Sequence, residues 1–260
     1  MQPYSFVAGD SPLVVSVPHA GVGLSDEAEA RLSAAARPLP DTDWFVDRLY
    51  AFAAELGASV LVAWASRMVV DLNRPADDAP LYPGQAGTGL VPETLFDGRA
   101  AWTAPLSGPD RTRRVTDYYL PYHDRLRATL DAVRARHGHV VLWDAHSIPG
   151  RVPRLFDGRL PDLNLGTFGG RSCAPGLQST LEQILGDQDR SWVSNGRFKG
   201  GWITRGYGDP AAGVHAVQLE IAQEAYMRAH PPAWDPGRAA GLQPTLRRLL
   251  TAARDWRPDV

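Results

Sequence analysis

The chain has 260 residues, 44% of them hydrophobic and 22% charged, an ordinary globular composition with enough length to bury a large core. A net charge of −2 leaves no electrostatic footprint for nucleic acid, and no apolar run approaches the ~20 residues of a membrane span. Neither partner is expected. The lone cysteine, Cys173, excludes an internal disulfide and fits a reducing compartment, and MQPYSFVAGDSP lacks the basic-then-apolar pattern of a secretion signal, so a cytoplasmic location is expected.

In chain order, the Val-rich PLVVSVPHAG (12–21) reads as a short strand ending in Pro-His-Ala-Gly. DTDWFVDRLYAFAAELG (41–57) spaces Phe45, Leu49, Phe52 and Leu56 as one helical face, with acids at its start and Gly57 as C-cap. ASVLVAWASRMVVDLN (58–73) reads as strand material, one strand or two joined near Ala65-Ser66, and residues 76–110 as a long Pro/Gly/Asp-rich loop. Residues 112–138 form a long helix, kinked or restarted at Pro121. HVVLWDAHS (139–147) is a strand, 149–175 is irregular, and a helix follows over about 176–186. SNGRFKGGWITRGYGDP is a loop rich in Gly, Arg and Lys, GVHAVQLEIAQEAY (213–226) a strand, and 237–256 a closing helix. Alternating strands and helices predict a layered α/β fold. No repeat or linker divides the chain, so one domain over 1–260 is expected.

Polar residues gather at the ends of apolar strands: His19, Asn73 and Arg74, Asp144 and His146, and Glu220. In open α/β sheets the carboxyl edge is where ligands bind. A catalytic zinc takes three protein ligands from His and carboxylate. His19 and His146 supply two, with Asp144 two residues away on the same strand face to hold the imidazole. For the third, DTDWFVD offers Asp41, Asp43 and Asp47; Asp41 suits an N-cap, Asp47 lies inside the helix, and Asp43 is the choice. Glu220, among apolar neighbours, is placed to act as the base beside a metal-bound water. Arg67 and Asn73 share a face if their segment is extended. Asn73-Arg74 matches a substrate carboxylate, and Arg197, Lys199 or Arg205 could take a second one. Asp71 either orients Arg74 from behind or caps the turn.

DTDWFVDRLY, VVDLNRP, LYPGQ, LFDGR, LWDAHSI, VPRLFDGRLPDLNLGT, NGRFKGGWITRGYG and GVHAVQLEIAQ together resemble the N-formylglutamate amidohydrolase family, over about residues 11–250. The resemblance implies a three-layer α/β/α sandwich with a mixed, mostly parallel sheet, like that of zinc exopeptidases. It also implies hydrolysis of N-formyl-L-glutamate, a substrate with two carboxylates, to formate and L-glutamate, a step of histidine degradation, with one Zn2+ or other divalent metal per chain. More distantly, DLNR and DAHS are similar to segments of aspartoacylases and zinc carboxypeptidases. That similarity implies a carboxylate grip by Asn73 and Arg74, carbonyl polarisation by Arg67, a metal ligand in His146 backed by Asp144, and a base in Glu220. Those relatives take two ligands from H-x-x-E, whereas HAGV has Val22 in the acid's place. The alternatives are a deacylase acting on another N-acyl acidic amino acid or a cell-wall amide, and a non-catalytic amino-acid-binding protein, which the presence of the ligand and base residues argues against. No sequence feature specifies an oligomeric state.

Overall fold

Residues 2–81, 84 and 87–258 are described by a computed structural model; Tyr82, Pro83 and Gln85 of the LYPGQ segment lie outside the described residues. The strands β1 (Tyr4–Val7), β2 (Leu13–Val17), β3 (Ser59–Ala63), β4 (Val140–Ile148), β5 (Leu163–Gly166), β6 (Trp192–Ser194) and β7 (Val214–Ala222) make one sheet in the order β1-β3-β2-β4-β7-β5-β6. The central β3-β2-β4-β7 block is parallel. β1 and β5 join it antiparallel, and β6 runs parallel to β5. The sheet is mixed and mostly parallel.

The helices are α1 (Asp26–Arg31), α2 (Val46–Leu49), α3 (Gly108–Arg114), α4 (Leu120–His137), α5 (Pro175–Gly186), α6 (Trp202–Tyr207) and α7 (Pro236–Asp255). Successive strand residues point to opposite faces, and the central strands are apolar on both. Val141, Trp143, Val217 and Leu219 pack beneath Leu181 of α5 and Leu246 and Leu249 of α7. Val140, Leu142 and Ala216 pack beneath Leu126 and Leu130 of α4. Two cores on two faces give three layers. On the α4 face the apolar parity is broken only toward the strand ends: Val140 and Leu142 are followed by Asp144 and His146, and Val214 and Ala216 by Gln218 and Glu220. His146 and Glu220 are register partners across β4 and β7. Residues of a strand that the helix no longer covers can face a cavity instead of a core.

Several elements differ from the sequence expectation. The helix expected over 41–57 is reduced to α2 and a 3-10 turn at Ala51–Leu56, because Phe45 takes a left-handed conformation (φ 62) that releases residues 41–44 from helix. Gly57, at φ 70, does end the element. Strand β3 stops at Ala63, so the expected strand through Asn73 is overturned. Ser66 turns the chain by accepting from Met68 N–H, and Met68, Val69 and Val70 are buried as turns against Leu90, Leu95 and Trp102. Apolar content alone does not distinguish such buried turns from a paired strand. The long helix runs from Gly108 to His137, widening into a π turn at Val115–Tyr119 just ahead of Pro121, which absorbs the hydrogen bond that proline cannot donate. β5 and α6 lie in stretches expected to be irregular, and β1 and most of β6 in stretches to which no element was assigned. None of the helices is long and apolar enough to cross a membrane among the described residues.

Candidate active site

A cavity of about 360 Å³ opens at the carboxyl ends of β2, β4 and β7. At its floor His19, Asp43 and His146 bring one ligand atom each within 4.8 Å of one another, and all three are buried. His19 follows β2 after Pro18, and Asp43 is brought to it by a backbone hydrogen bond from Asp43 N–H to His19 O. His146 projects from β4. Asp43 Oδ2 lies 3.1 Å from His146 Nδ1 and 3.9 Å from His19 Nδ1, and it also accepts from Ser147 N–H at 3.0 Å.

Each imidazole is held from behind. His19 Nε2–H donates to Asp71 Oδ1 at 2.8 Å, and His146 Nε2 lies 3.1 Å from Asp144 Oδ1. This carboxylate–histidine arrangement aims the two Nδ1 atoms at a common point. His19 Nδ1 is buried and has no hydrogen-bond partner among the described residues. Burial lowers the His19 pKa, helped by the Arg67 charge and opposed by Asp71, so its lone pair is available at neutral pH. For His146 burial also disfavours the charge, but Asp144 and Asp43 outweigh it and hold the pKa well above the ordinary value. Burial would raise Asp43, yet its bond to His146 and the surrounding positive charges keep it low. Asp71 is likewise held low against burial by His19, which also donates to it, and by the Arg67 and Arg74 guanidiniums.

Asp71 therefore does more than cap a turn. It is wholly buried and accepts from His19 Nε2–H, Asn73 N–H (2.9 Å) and Arg67 Nη2–H (2.7 Å) at once. Arg67 also reaches Asp43 Oδ1 at 3.4 Å and lays its guanidinium 4.7 Å from the centre of the Phe96 ring. Glu220 lines the same cavity, and burial lifts its pKa to about 8 against the pull of His146. A buried carboxyl lifted toward neutrality beside a ligand cluster fits a proton-transfer group.

The model of the N-formylglutamate amidohydrolase family matches residues 11–227. The chain belongs to the N-formylglutamate amidohydrolase family. It is 51% identical over 256 residues to an N-formylglutamate deformylase of Pseudomonas putida, covering 97% of this chain and 96% of that one. It is 49% identical, with the same coverage, to an N-formylglutamate deformylase of Pseudomonas aeruginosa. The crystal structure of N-formylglutamate amidohydrolase from Ralstonia eutropha JMP134 superposes with a TM-score of 0.84 at 28% identity, covering 97% of this chain and 96% of that one. The Agrobacterium tumefaciens gene product Atu2144, with a TM-score of 0.76 at 19% identity and coverage of 97% and 95%, shares the fold.

Within this family member the remaining expected site residues divide. Of the acids in DTDWFVD, Asp43 enters the cluster, Asp41 Oδ2 accepts from Phe96 N–H at 2.8 Å, and Asp47 is exposed on α2. Arg74 lines the cavity; its Nε donates to Thr88 O at 2.8 Å. Asn73 lines it too, but its amide is committed to the protein. Nδ2 is 2.8 Å from His146 Nε2 and donates to Asp144 Oδ2 (3.3 Å), while Oδ1 accepts from Ile203 N–H (2.7 Å). In this arrangement Asn73 packs behind His146. Arg67 and Asn73 both reach the cavity, through turns rather than through a shared strand face. Arg197 lines this cavity, whereas Lys199 and Arg205 line a neighbouring one that shares Arg197. The Arg205 side chain donates to Gly200 O and Leu81 O. His215, of opposite parity to Glu220, is buried with its ring edge-on to Trp256. Sequence reasoning does not reach Gln218, whose only signal is its place two residues before Glu220.

Proposed function

We propose that this family member is a zinc-dependent amidohydrolase, a single catalytic domain that cleaves N-formyl-L-glutamate to formate and L-glutamate. The observation that carries the metal reading is the unpartnered, buried Nδ1 of His19 facing Asp43 and His146. A His, Asp, His set with carboxylate-backed imidazoles fits a catalytic zinc, and we place one ion per chain there, held by His19, Asp43 and His146. Bound there, zinc would bring a water's pKa toward ~7 and polarise the scissile carbonyl. The family membership and the two deformylase relatives support the substrate.

The chain's own residues supply the rest. Glu220, unprotonated, takes the proton of the attacking water as its oxygen bonds to the formyl carbon. Arg67 faces the oxyanion that develops and is held for that task by Asp71 and Asp43. Glu220 then passes the proton to the nitrogen as the C–N bond breaks, giving formate and the free amine of glutamate. Arg74 binds one substrate carboxylate and Arg197 the other. Arg74→Ala is expected to raise KM and to lower kcat/KM by ~10–100-fold, corresponding to the 1.5–3 kcal/mol of a hydrogen bond to a charged group, while metal content stays that of the wild type. Equal kinetics in steady-state assays would remove Arg74 from the carboxylate site.

Chelation followed by reloading tests the whole reading. Activity on N-formyl-L-glutamate should vanish with the metal, verified by elemental analysis, and return with one zinc per chain. Turnover that survives verified metal loss overturns the metal reading. Faster cleavage of N-acetyl- or N-carbamoyl-glutamate overturns the substrate.

A further inference from the structure

Gln218 and Glu220 are two residues apart on β7 and so share the cavity face. Gln218 is 3% exposed, and its side chain makes two hydrogen bonds. Its Oε1 accepts from Gly201 N–H at 2.6 Å, and its Nε2 donates to Glu220 Oε2 at 3.1 Å. The first bond fixes the second. A backbone N–H can only donate, so the amide oxygen must face Gly201 and the NH2 must face Glu220. Among the described residues no other side chain hydrogen-bonds the Glu220 carboxyl.

We propose that Gln218 is the positioning residue for the base of this enzyme: it engages Oε2 of Glu220 and leaves Oε1 to move the proton between water and the departing nitrogen. The inference rests on the proposed role of Glu220. A carboxylate on a two-carbon stem can turn about its last bond, and an oxygen that turns away from the reacting atoms must be returned before each proton transfer. A fixed donor on one oxygen removes that freedom in advance.

The anchor reaches further. Gly201 also lies against Asn73: a Cβ at position 201 would come 2.3 Å from Asn73 Nδ2. Ile203 N–H meanwhile donates to Asn73 Oδ1. Residues 200–203 therefore hold both the amide that positions the base and the amide behind His146. That common anchor sets the spacing between the base and the ligand cluster, and it explains a Gly-rich stretch that matches no nucleotide motif.

Gln218→Glu separates donor from anchor. The new side chain has the same shape and can still accept from Gly201 N–H, but it turns an oxygen rather than an N–H toward Glu220 Oε2. The expected result is kcat on N-formyl-L-glutamate lower by ~10–100-fold, the cost of misplacing a catalytic group by about 1 Å, with KM within about twofold of the wild type and unchanged metal content. Wild-type kcat in Gln218→Glu overturns the proposal, as does a loss that lies wholly in KM or follows loss of metal. Gln218→Met, which removes donor and anchor but introduces no charge, should show the same kcat-selective loss, and a Met variant with full kcat also overturns it. Wild-type and Glu220→Gln enzyme assayed alongside report separately on the base: were Glu220→Gln fully active, the reading beneath the proposal would fail, whatever Gln218 does.

Discussion

Glu220→Gln should lower kcat by about 10³-fold, within the ~10²–10⁴ that positioned acid–base catalysis supplies, while KM and metal content stay close to wild type. The amide is isosteric and still lines the cavity, and the Gln218 contact is to an oxygen the amide retains, so binding is spared. What disappears is the capacity to accept a proton at one step and return it at the next. A second signature has the opposite sign. Burial raises the native pKa of Glu220 to about 8 from 4.5, so in the metal-free protein the native state holds a proton that the unfolded chain has released. Stability from this group is full below about 4.5 and is lost as pH rises toward 8. Glutamine has no such loss, so metal-free Glu220→Gln should melt higher than metal-free wild type at pH 8 and differ little near pH 4. A dication at the His19, Asp43 and His146 group favours the carboxylate, which moves the acidic limb of the kcat/KM profile below 8. Denaturation of the metal-free proteins across that range, together with steady-state kinetics, checks both signs. An active Gln variant would remove Glu220 from the mechanism, and metal-free stability that follows the wild type at every pH would mean that burial does not hold a proton on Glu220.

Two kinds of information in the sequence carried different distances. Strand parity survived folding wherever pairing was real: His146 on β4 and Glu220 on β7 line one cavity, with Asp144 buried behind His146, because two-residue periodicity and parallel register are local rules. His19 and Asp43 were legible as residue types, but their meeting depends on Phe45 leaving the right-handed region, which no pattern of apolar spacing encodes. Residues 64–73 show the converse. Their apolar run is buried, as a strand would be, yet the burial comes from loops packed over turns, so period and hydrophobicity alone could not separate the two cases. Asn73 was legible as a polar group at the site but not as one already satisfied by Ile203 N–H and Asp144, because both partners are distant in sequence. The same holds for Gln218, which only the position of Gly201 explains.

Asp71→Asn is the second variant for which a large effect is expected, and the geometry shows why a one-atom change is not conservative here. Oδ1 of Asp71 accepts from His19 Nε2–H and Asn73 N–H, and Oδ2 accepts from Arg67 Nη2–H. An asparagine has one acceptor oxygen. With that oxygen toward His19 and Asn73, its NH2 confronts the Arg67 guanidinium; with the oxygen toward Arg67, its NH2 confronts two donors. The first arrangement leaves Arg67 with Asp43 alone as a close carboxylate in a buried site, and removing one partner of a buried charge pair costs about 3–5 kcal/mol. For a chain of this length that corresponds to a fall in Tm of roughly 10 °C. The second is relieved at His19, though not at Asn73 N–H, if His19 moves its proton from Nε2 to Nδ1, the atom aimed at Asp43, and a protonated Nδ1 cannot coordinate a cation. Either way metal affinity should fall by ~10–100-fold, the usual consequence of losing the group behind a ligating histidine. The stability term has a defined window. A carboxyl held below its ordinary value contributes stability that is present above about 3.8 and lost as pH falls through the lower native value. The full difference between Asp71→Asn and wild type should therefore appear at pH 7 and shrink only in strong acid. Thermal melts of the metal-free proteins measure the first effect and competition with a chromophoric chelator the second. A variant that matches wild type in both would mean that Asp71 neither holds Arg67 nor sets the His19 tautomer.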